Sequence, residues 1–305
     1  MKRIAARSVY TLIVLLLSSI AVFYAIRLSG GDAVSARLPA SASYEEREEF
    51  RELLGLNDPV HEQYFRYMGR LLTFDLGKSL TNNADIFDML THHGKNSLIL
   101  GAAAFGLVFA IGVPLGILAA IRRNSWADGS VMTFSVAGMA VPNFWLALLT
   151  VWLFASTLGW LPSAGCCSFK QLILPAVVLA MEGIALTVRM TRSAMLENLG
   201  QDFVRTLRAG GLSEASIIGK HVLRNAMVPI ISLAGLRIGQ IVGYALVVET
   251  IFGWPGLGQV LVNAVLRRDY PVAQFFSLVL ITIVVLSNWL ADVGYTVANP
   301  RLRKS

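Results

Sequence analysis

The sequence predicts an all-α polytopic membrane protein with about six transmembrane helices, and three observations lead there. Hydrophobic residues make up 55% of the 305-residue chain and charged residues only 15%, against about 25% charged in a soluble domain. The mean hydropathy is +0.61. The charges are clumped, leaving six apolar stretches at 9–26, 97–121, 131–157, 172–188, 227–248 and 272–297. At about 1.5 Å per residue, most of these reach across a hydrocarbon core of about 30 Å.

The first stretch follows Lys2, Arg3 and Arg7, and its apolar run of 18 residues is long for a cleaved signal peptide. It is read as a retained span. A 68-residue loop, 29–96, follows with seven basic and eleven acidic residues. Ser43 and Glu46 have the spacing of a capping box, opening a helix through Glu48, Phe50 and Leu54 that Gly55 ends. Asp58 is expected to cap a second helix, with Pro59 at its first position. Val60, Tyr64, Tyr67, Met68 and Leu71 recur at helical spacing along it. The two helices are expected to pack as a small cap over the outer ends of the spans or to bind a partner.

Proline stands in the later spans: Pro114 in the second, Pro142 in the third, Pro175 in the fourth and Pro229 in the fifth. Each removes a backbone donor, so each is expected to kink or open its helix, as a fixed packing bend or where a passage runs. The fourth span is the shortest and holds Glu182. An intramembrane carboxylate is costly against lipid, so it either pairs with a partner such as Arg237 of the fifth span or lines a path for solute. Pro142, Asn143, Glu182 and Glu249 are the candidate lining of such a path. Glycines repeat every fourth residue at Gly112–Gly116 and at Gly235, Gly239 and Gly243, which suits close helix packing within the chain or against another membrane subunit.

Basic residues set the orientation. Lys2, Arg3, Arg7, Arg122, Arg123, Arg189, Arg192, Arg205, Arg208, Lys220, Arg224, Arg301, Arg303 and Lys304 fall on one side, 14 of the 26 in the chain. The positive-inside rule makes that side the cytoplasm, with both termini in it. The chain then divides into a tail and first span (1–28), an outer loop (29–96), a core of five spans (97–298) and a tail (299–305). Within the core, 191–226 is the longest cytoplasmic stretch. Ser213 is expected to cap a short helix from Glu214, with Ile217, Ile218, Val222 and Leu223 on its apolar positions and Gly210-Gly211 bending the chain before it. Flanked by Arg205, Arg208, Lys220 and Arg224, this amphipathic turn suits the lipid surface or a soluble partner.

Other chemistries are not supported. The net charge of +7 fits cytoplasmic loops facing anionic lipid. No polar segment interleaves aromatic and basic residues, so nucleic acid is not expected as a partner. Gly77-Lys78-Ser79 imitates the end of a P-loop, yet Leu72 stands where the first glycine belongs. His92 and His93 are adjacent rather than at metal-ligand spacing. Cys166 and Cys167 are read as two free thiols in a short loop. No bound cofactor is expected, and no catalytic constellation is assembled.

The chain resembles the inner-membrane permeases of bacterial ABC importers for peptides, dipeptides and nickel, specifically the first of the two permease subunits. The resemblance runs along essentially the whole sequence. It rests on Arg27-Leu28 with Gly31-Asp32, Leu54-Gly55-Leu56 with Asp58-Pro59, Asp75-Leu76-Gly77-Lys78-Ser79, Pro114-Leu115-Gly116, and Pro142-Asn143-Phe144-Trp145-Leu146-Ala147. It continues through Gly159-Trp160-Leu161-Pro162, the tract from Gln201 to Pro229, Val248-Glu249-Thr250, Trp254-Pro255-Gly256-Leu257-Gly258, Arg268-Asp269-Tyr270-Pro271, Asp292 and Asn299-Pro300-Arg301. Ser29-Gly30, Ala33, Leu207 and Gly210 depart from the family's usual residues.

The resemblance implies an ABC importer permease fold in the bacterial inner membrane, with a cytoplasmic coupling helix and a structured periplasmic loop. It implies a second homologous permease, one or two ATP-binding subunits that hydrolyse the ATP, and a periplasmic substrate-binding protein. Arg205, Gly211, Leu212, Ser213, Glu214, Ile217, Ile218 and Lys220 are then expected at the ATPase contact. Peptides are the expected cargo, with nickel, opines, glutathione-like compounds or other small solutes as the alternative. A non-transporting structural or sensory membrane subunit is the reading of a different class.

Overall fold

A computed structural model describes residues 2–28, 33–39 and 41–298, except for the side chains of 2–6 and 292–298. Lys2, Arg3, Ser29-Gly30, Gly31-Asp32, Asp292, Asn299-Pro300-Arg301, Arg303, Lys304 and the tail 299–305 lie outside the described residues, wholly or in their side chains. The helices run α1 (Lys2–Leu28), α2 (Tyr44–Leu53), α3 (Val60–Leu72), α4 (Ile86–Ile121), α5 (Trp126–Ala140), α6 (Asn143–Thr150), α7 (Phe169–Leu199), α8 (Asp202–Ala209), α9 (Glu214–Ser216), α10 (Leu223–Ile251), α11 (Leu257–Leu266) and α12 (Tyr270–Ala298). Two π-helical segments, Val151–Thr157 and Ile217–Val222, continue α6 and α9. Among the described residues five helices are long and apolar enough to cross a membrane, and the count is six if the pair α5 with 143–157, bent by 105°, is taken as one span. The protein is a multi-pass membrane protein.

Chain contacts form two compact units, which cut across the division by chain order. The first joins Met1–Leu98 with Gly253–Leu286; the second joins Ile99–Phe252 with Ser287–Ser305. In the first unit, Ile86, Leu257, Val260, Ala264, Val272, Phe275 and Phe276 form a buried cluster. The lipid-like row Val9, Leu12, Ile13, Leu16 and Leu17 of α1 stays exposed, as a membrane-facing helix requires.

The described residues of the loop 29–96 fold much as the sequence predicts. Ser43 and Glu46 close the capping box reciprocally, at 3.2 Å and 2.8 Å. Gly55, at φ 62°, ends the turn after α2 in the left-handed region that glycine adopts without steric cost. The second helix differs from expectation: Pro59 is the N-cap and Asp58 makes no capping bond. The Asp58 carboxylate accepts instead from Arg66 at 2.5 Å, because eight residues along the chain a guanidinium offers a stronger partner than a backbone amide. Packing is also lopsided. Tyr64 of α3 is buried, meets Ser19 of α1 through a 2.8 Å hydrogen bond and stacks edge-on against Phe23. The helix α2 buries no residue at all.

In the second unit α7 is the central post, burying Leu174, Ala180, Ile184, Val188 and Met195 among others. It is 31 residues long rather than the shortest span, because Ser168 and Gln171 form a capping box and the helix continues to Leu199. Three of the four prolines, Pro114, Pro175 and Pro229, lie inside unbroken helices. Only Pro142 marks a break, since Val141 before it is extended and a new helix starts at Asn143. A proline costs one ladder bond, and a long packed helix absorbs that loss through its neighbours.

Candidate translocation and coupling site

The first glycine pair forms a seam. A Cβ at Gly112 would stand 2.8 Å from the Thr187 Cβ, and one at Gly116 would stand 2.5 Å from the Thr191 Cβ and 2.7 Å from the Val188 carbonyl oxygen. Across the same seam a Cβ on Gly183 would meet Val108 at 2.5 Å. The backbones of α4 and α7 therefore touch where only glycine fits. The second glycine series splits: Gly235 abuts Ala291, Gly239 is buried, and a Cβ added at Gly243 would meet nothing within 4 Å.

Next to Gly183 on α7, Glu182 turns toward α10. Its Oε1 lies 3.5 Å from Nη1 of Arg237, and the two side chains are 28% and 4% exposed. The Tyr244 side chain also lies near this carboxylate. The ion pair foreseen from sequence is thus present, and the carboxylate still keeps an open face. Glu249, one helix turn beyond Ala245, is fully buried and has an interaction partner. Pro142 and Asn143 sit at the 105° break, with Pro142 exposed and Asn143 partly buried. The structure does not place Glu249 on a surface with Glu182.

At the other end of α7, Arg192 grips Asp128 with two bonds, from Nε at 2.6 Å and Nη2 at 2.7 Å. Asp128 also accepts from the Asn124 amide at 3.0 Å. This fork ties the start of α5 to α7, and sequence reasoning missed it, although Ser125 three residues before Asp128 is a cap signal.

The elbow follows. After α8, Gly210 closes the helix and Gly211, at φ 79°, reverses the chain. Ser213 caps the next turn by accepting from the Ser216 amide at 3.4 Å. Arg208 reaches across the bend to Glu214, donating at 2.6 Å and 3.2 Å. That carboxylate holds the Arg208 guanidinium above its usual pKa through the hydrogen bond first and its charge second.

Burial sorts the expected contact residues into two sets. Arg205, Gly211, Leu212, Ser213, Glu214 and Lys220 are exposed, and Leu212 shows 38% of its surface. Ile217 is fully buried with Val204, Val222, Ala226 and Met195 in one cluster, and Ile218 is partly buried against it. Ile217 therefore holds the elbow to its own chain. Of the apolar positions read from sequence, Ile217 and Val222 thus face the chain's own core at the two ends of the π-helical turn 217–222.

The short loop that holds the two cysteines brings a correction. Cys166 and Cys167 are joined to each other as a disulfide and are not free thiols. Cys167 adopts φ 79°, in the left-handed region. The preceding Gly165 donates to the Phe252 carbonyl at 3.0 Å, fixing this loop to the end of α10.

Residues 112–304 match the family model described as binding-protein-dependent transport system inner membrane component. The chain is 39% identical over 298 residues to a putative peptide transport system permease protein of Brucella abortus, covering 95% of each. It is 38% identical over 310 residues to the di/tripeptide transport system permease protein DppB of Pseudomonas aeruginosa, covering 92% of each. A chain of the MetNI methionine ABC transporter, in inward-facing form, matches with a TM-score of 0.60 at 20% identity, over 70% of this chain and 97% of that one.

Proposed function

The chain belongs to the family of binding-protein-dependent transport system inner membrane components, and from that premise we propose that it is the peptide-translocating permease of an ATP-driven importer. The relatives in Brucella and Pseudomonas carry peptide and di/tripeptide transport in their names, which supports peptides of two to several residues as cargo. Both termini, including the tail 299–305, lie in the cytoplasm in this reading, and 29–96 lies outside. The chain binds no cofactor of its own. A second homologous permease completes the passage, one or two ATP-binding subunits hydrolyse ATP, and an external binding protein delivers the peptide.

The observation that carries the reading is the elbow. An exposed tip, Arg205 with Gly211 to Glu214, hangs on a buried root, Ile217 and Val222, and passes directly into α10. That helix carries Arg237 to the Glu182 pair. A push on the tip by an ATP-binding subunit therefore acts on the same helix that flanks the carboxylate. The partner must bind the two states of the elbow unequally, since equal affinity shifts nothing. Replacing exposed Leu212 by Glu tests the contact. The variant is expected to insert normally and to lose co-purification with the cognate ATP-binding subunits; unchanged co-purification removes Leu212 from the interface.

Glu182 supplies a reason for the cargo class. Its open face offers a carboxylate within the membrane-spanning region, where the amino terminus of a peptide is the cation that fits. Metal-ion cargo is the competing reading, and uptake of nickel in place of dipeptides by the reconstituted complex would decide for it.

A further inference from the structure

Nine side-chain N and O atoms are buried without a hydrogen-bond partner among the described residues, and five of them belong to four residues that line one cavity. They are Nε and Nη1 of Arg27, the Tyr67 hydroxyl, Nε2 of Gln274 and Oε1 of Gln63. The cavity, about 210 Å³, lies wholly within the first compact unit, at the ends of two membrane spans, α1 and α12. Gln274 and Gln63 are only 4% and 8% exposed, so these are not frayed surface groups.

The arrangement around Arg27 is specific. Its guanidinium carbon stands 5.0 Å from the ring centres of both Phe23 and Tyr270, so the cation is held between two aromatic rings. That contact holds the group while Nε and Nη1 have no hydrogen-bond partner among the described residues. The neighbouring cations are already occupied: Arg66 is paired with Asp58 and Arg70 with Asp75. The Asp75 carboxyl is held below its usual range by its bond to Arg70. Burial raises the Tyr67 phenol, which keeps it a neutral O–H donor. Donors without acceptors inside a protein are costly, and a cluster of them around a fixed cation has one chemical complement.

We propose that this cavity binds an oxyanion, a phosphate or carboxylate group, held by Arg27, Tyr67 and Gln274. Oε1 of Gln63 accepts a hydrogen bond from a hydroxyl on the same ligand, and Lys78 at the rim attracts it. The wall of Phe23, Leu71 and Phe275 accommodates apolar atoms attached to the anion. Two sources share this chemistry: a soluble phosphate or carboxylate, and the phosphate of a phospholipid headgroup lying at the ends of α1 and α12.

Thermal unfolding of the full chain, purified in a sugar-headgroup detergent and stripped of lipid, tests the site. Inorganic phosphate, acetate, phosphatidylglycerol and a phosphate-free glycolipid are added separately, at ionic strength matched with chloride. Stabilisation by phosphate or acetate identifies a soluble oxyanion; stabilisation by phosphatidylglycerol but not the glycolipid identifies a headgroup. In either case Gln274→Leu and Tyr67→Phe, which each remove one donor and leave Arg27 in place, are expected to weaken the apparent affinity about tenfold. The proposal is overturned if no anion stabilises the wild type beyond chloride, or if both variants respond as the wild type does.

Discussion

The Asp269 carboxylate is bound by the Ser79 hydroxyl at 2.5 Å, across 190 residues of sequence. The same carboxylate accepts from the Leu80 amide at 3.1 Å and from the Thr81 hydroxyl at 3.0 Å. Ser79, the last residue of the Gly77-Lys78-Ser79 imitation of a P-loop, thus acts with Leu80 and Thr81 as a latch for the segment that opens α12. Charge-assisted bonds of this kind are the strong ones, and a buried carboxylate needs all of them.

Asp269→Asn keeps the volume but sets an amide N–H₂ against hydroxyl and amide donors. It is expected to cost about 2–4 kcal/mol of local stability, and Ser79→Ala about 1–2 kcal/mol. Limited proteolysis of the loop 73–85 measures both. Faster cleavage of the Asn variant than of the Ala variant is the predicted order, and equal protection in both would remove the latch.

Gly116→Ala is expected to destabilise the second unit by about 1–3 kcal/mol, because the added carbon meets a backbone carbonyl that cannot swing aside. Gly243→Ala meets open space in this chain and should leave its own melting unchanged. Loss of co-purification with a second permease in Gly243→Leu, with normal insertion, would assign the open end of that glycine series to a subunit contact.

Glu182→Gln leaves Arg237 buried with a weaker partner. Removing one member of a fully buried pair costs about 3–5 kcal/mol; partial exposure of Glu182 reduces this to about 1–3 kcal/mol. Adding Arg237→Gln should recover part of the loss in thermal melting. If Glu182 also meets cargo, the double variant regains stability but still takes up zwitterionic peptides more slowly than its ATPase rate predicts.

The cysteine pair gives a chemical test. With Cys166 and Cys167 bonded to each other, a maleimide added outside intact cells labels neither until a reductant is present. Labelling before reduction would mean free thiols, and no labelling after it would place the loop on the cytoplasmic side.

Spans, caps and the elbow are legible in the sequence because each is a local pattern. Ser43 with Glu46, Gly55 and Ser213 act within a few residues, where spacing dictates geometry. The pairs that position the site are not legible in the same way. Ser79 with Asp269, Asp128 with Arg192, and Trp254, whose indole donates to the Asn96 carbonyl at 3.0 Å, join residues 64 to 190 apart, and nothing in one sequence links them. Glu182 with Arg237 is within reach because charges inside spans are few. Ile217 is legible as an apolar position, but its packing on Met195, Val204 and Ala226 of the chain itself is not. The disulfide escapes spacing arguments because those look for cysteines brought together by a fold, and adjacent ones need no fold to meet.

The most direct measurement is peptide uptake by proteoliposomes containing this chain with its cognate second permease, ATP-binding subunits and external binding protein. Wild-type vesicles loaded with ATP should accumulate a labelled dipeptide against its gradient, and vesicles with a non-hydrolysable analogue should not. Leu212→Glu should abolish accumulation while leaving the chain folded and inserted. Uptake that proceeds equally with ATP, with the analogue and in the Leu212→Glu variant would contradict an ATP-driven permease coupled through the elbow.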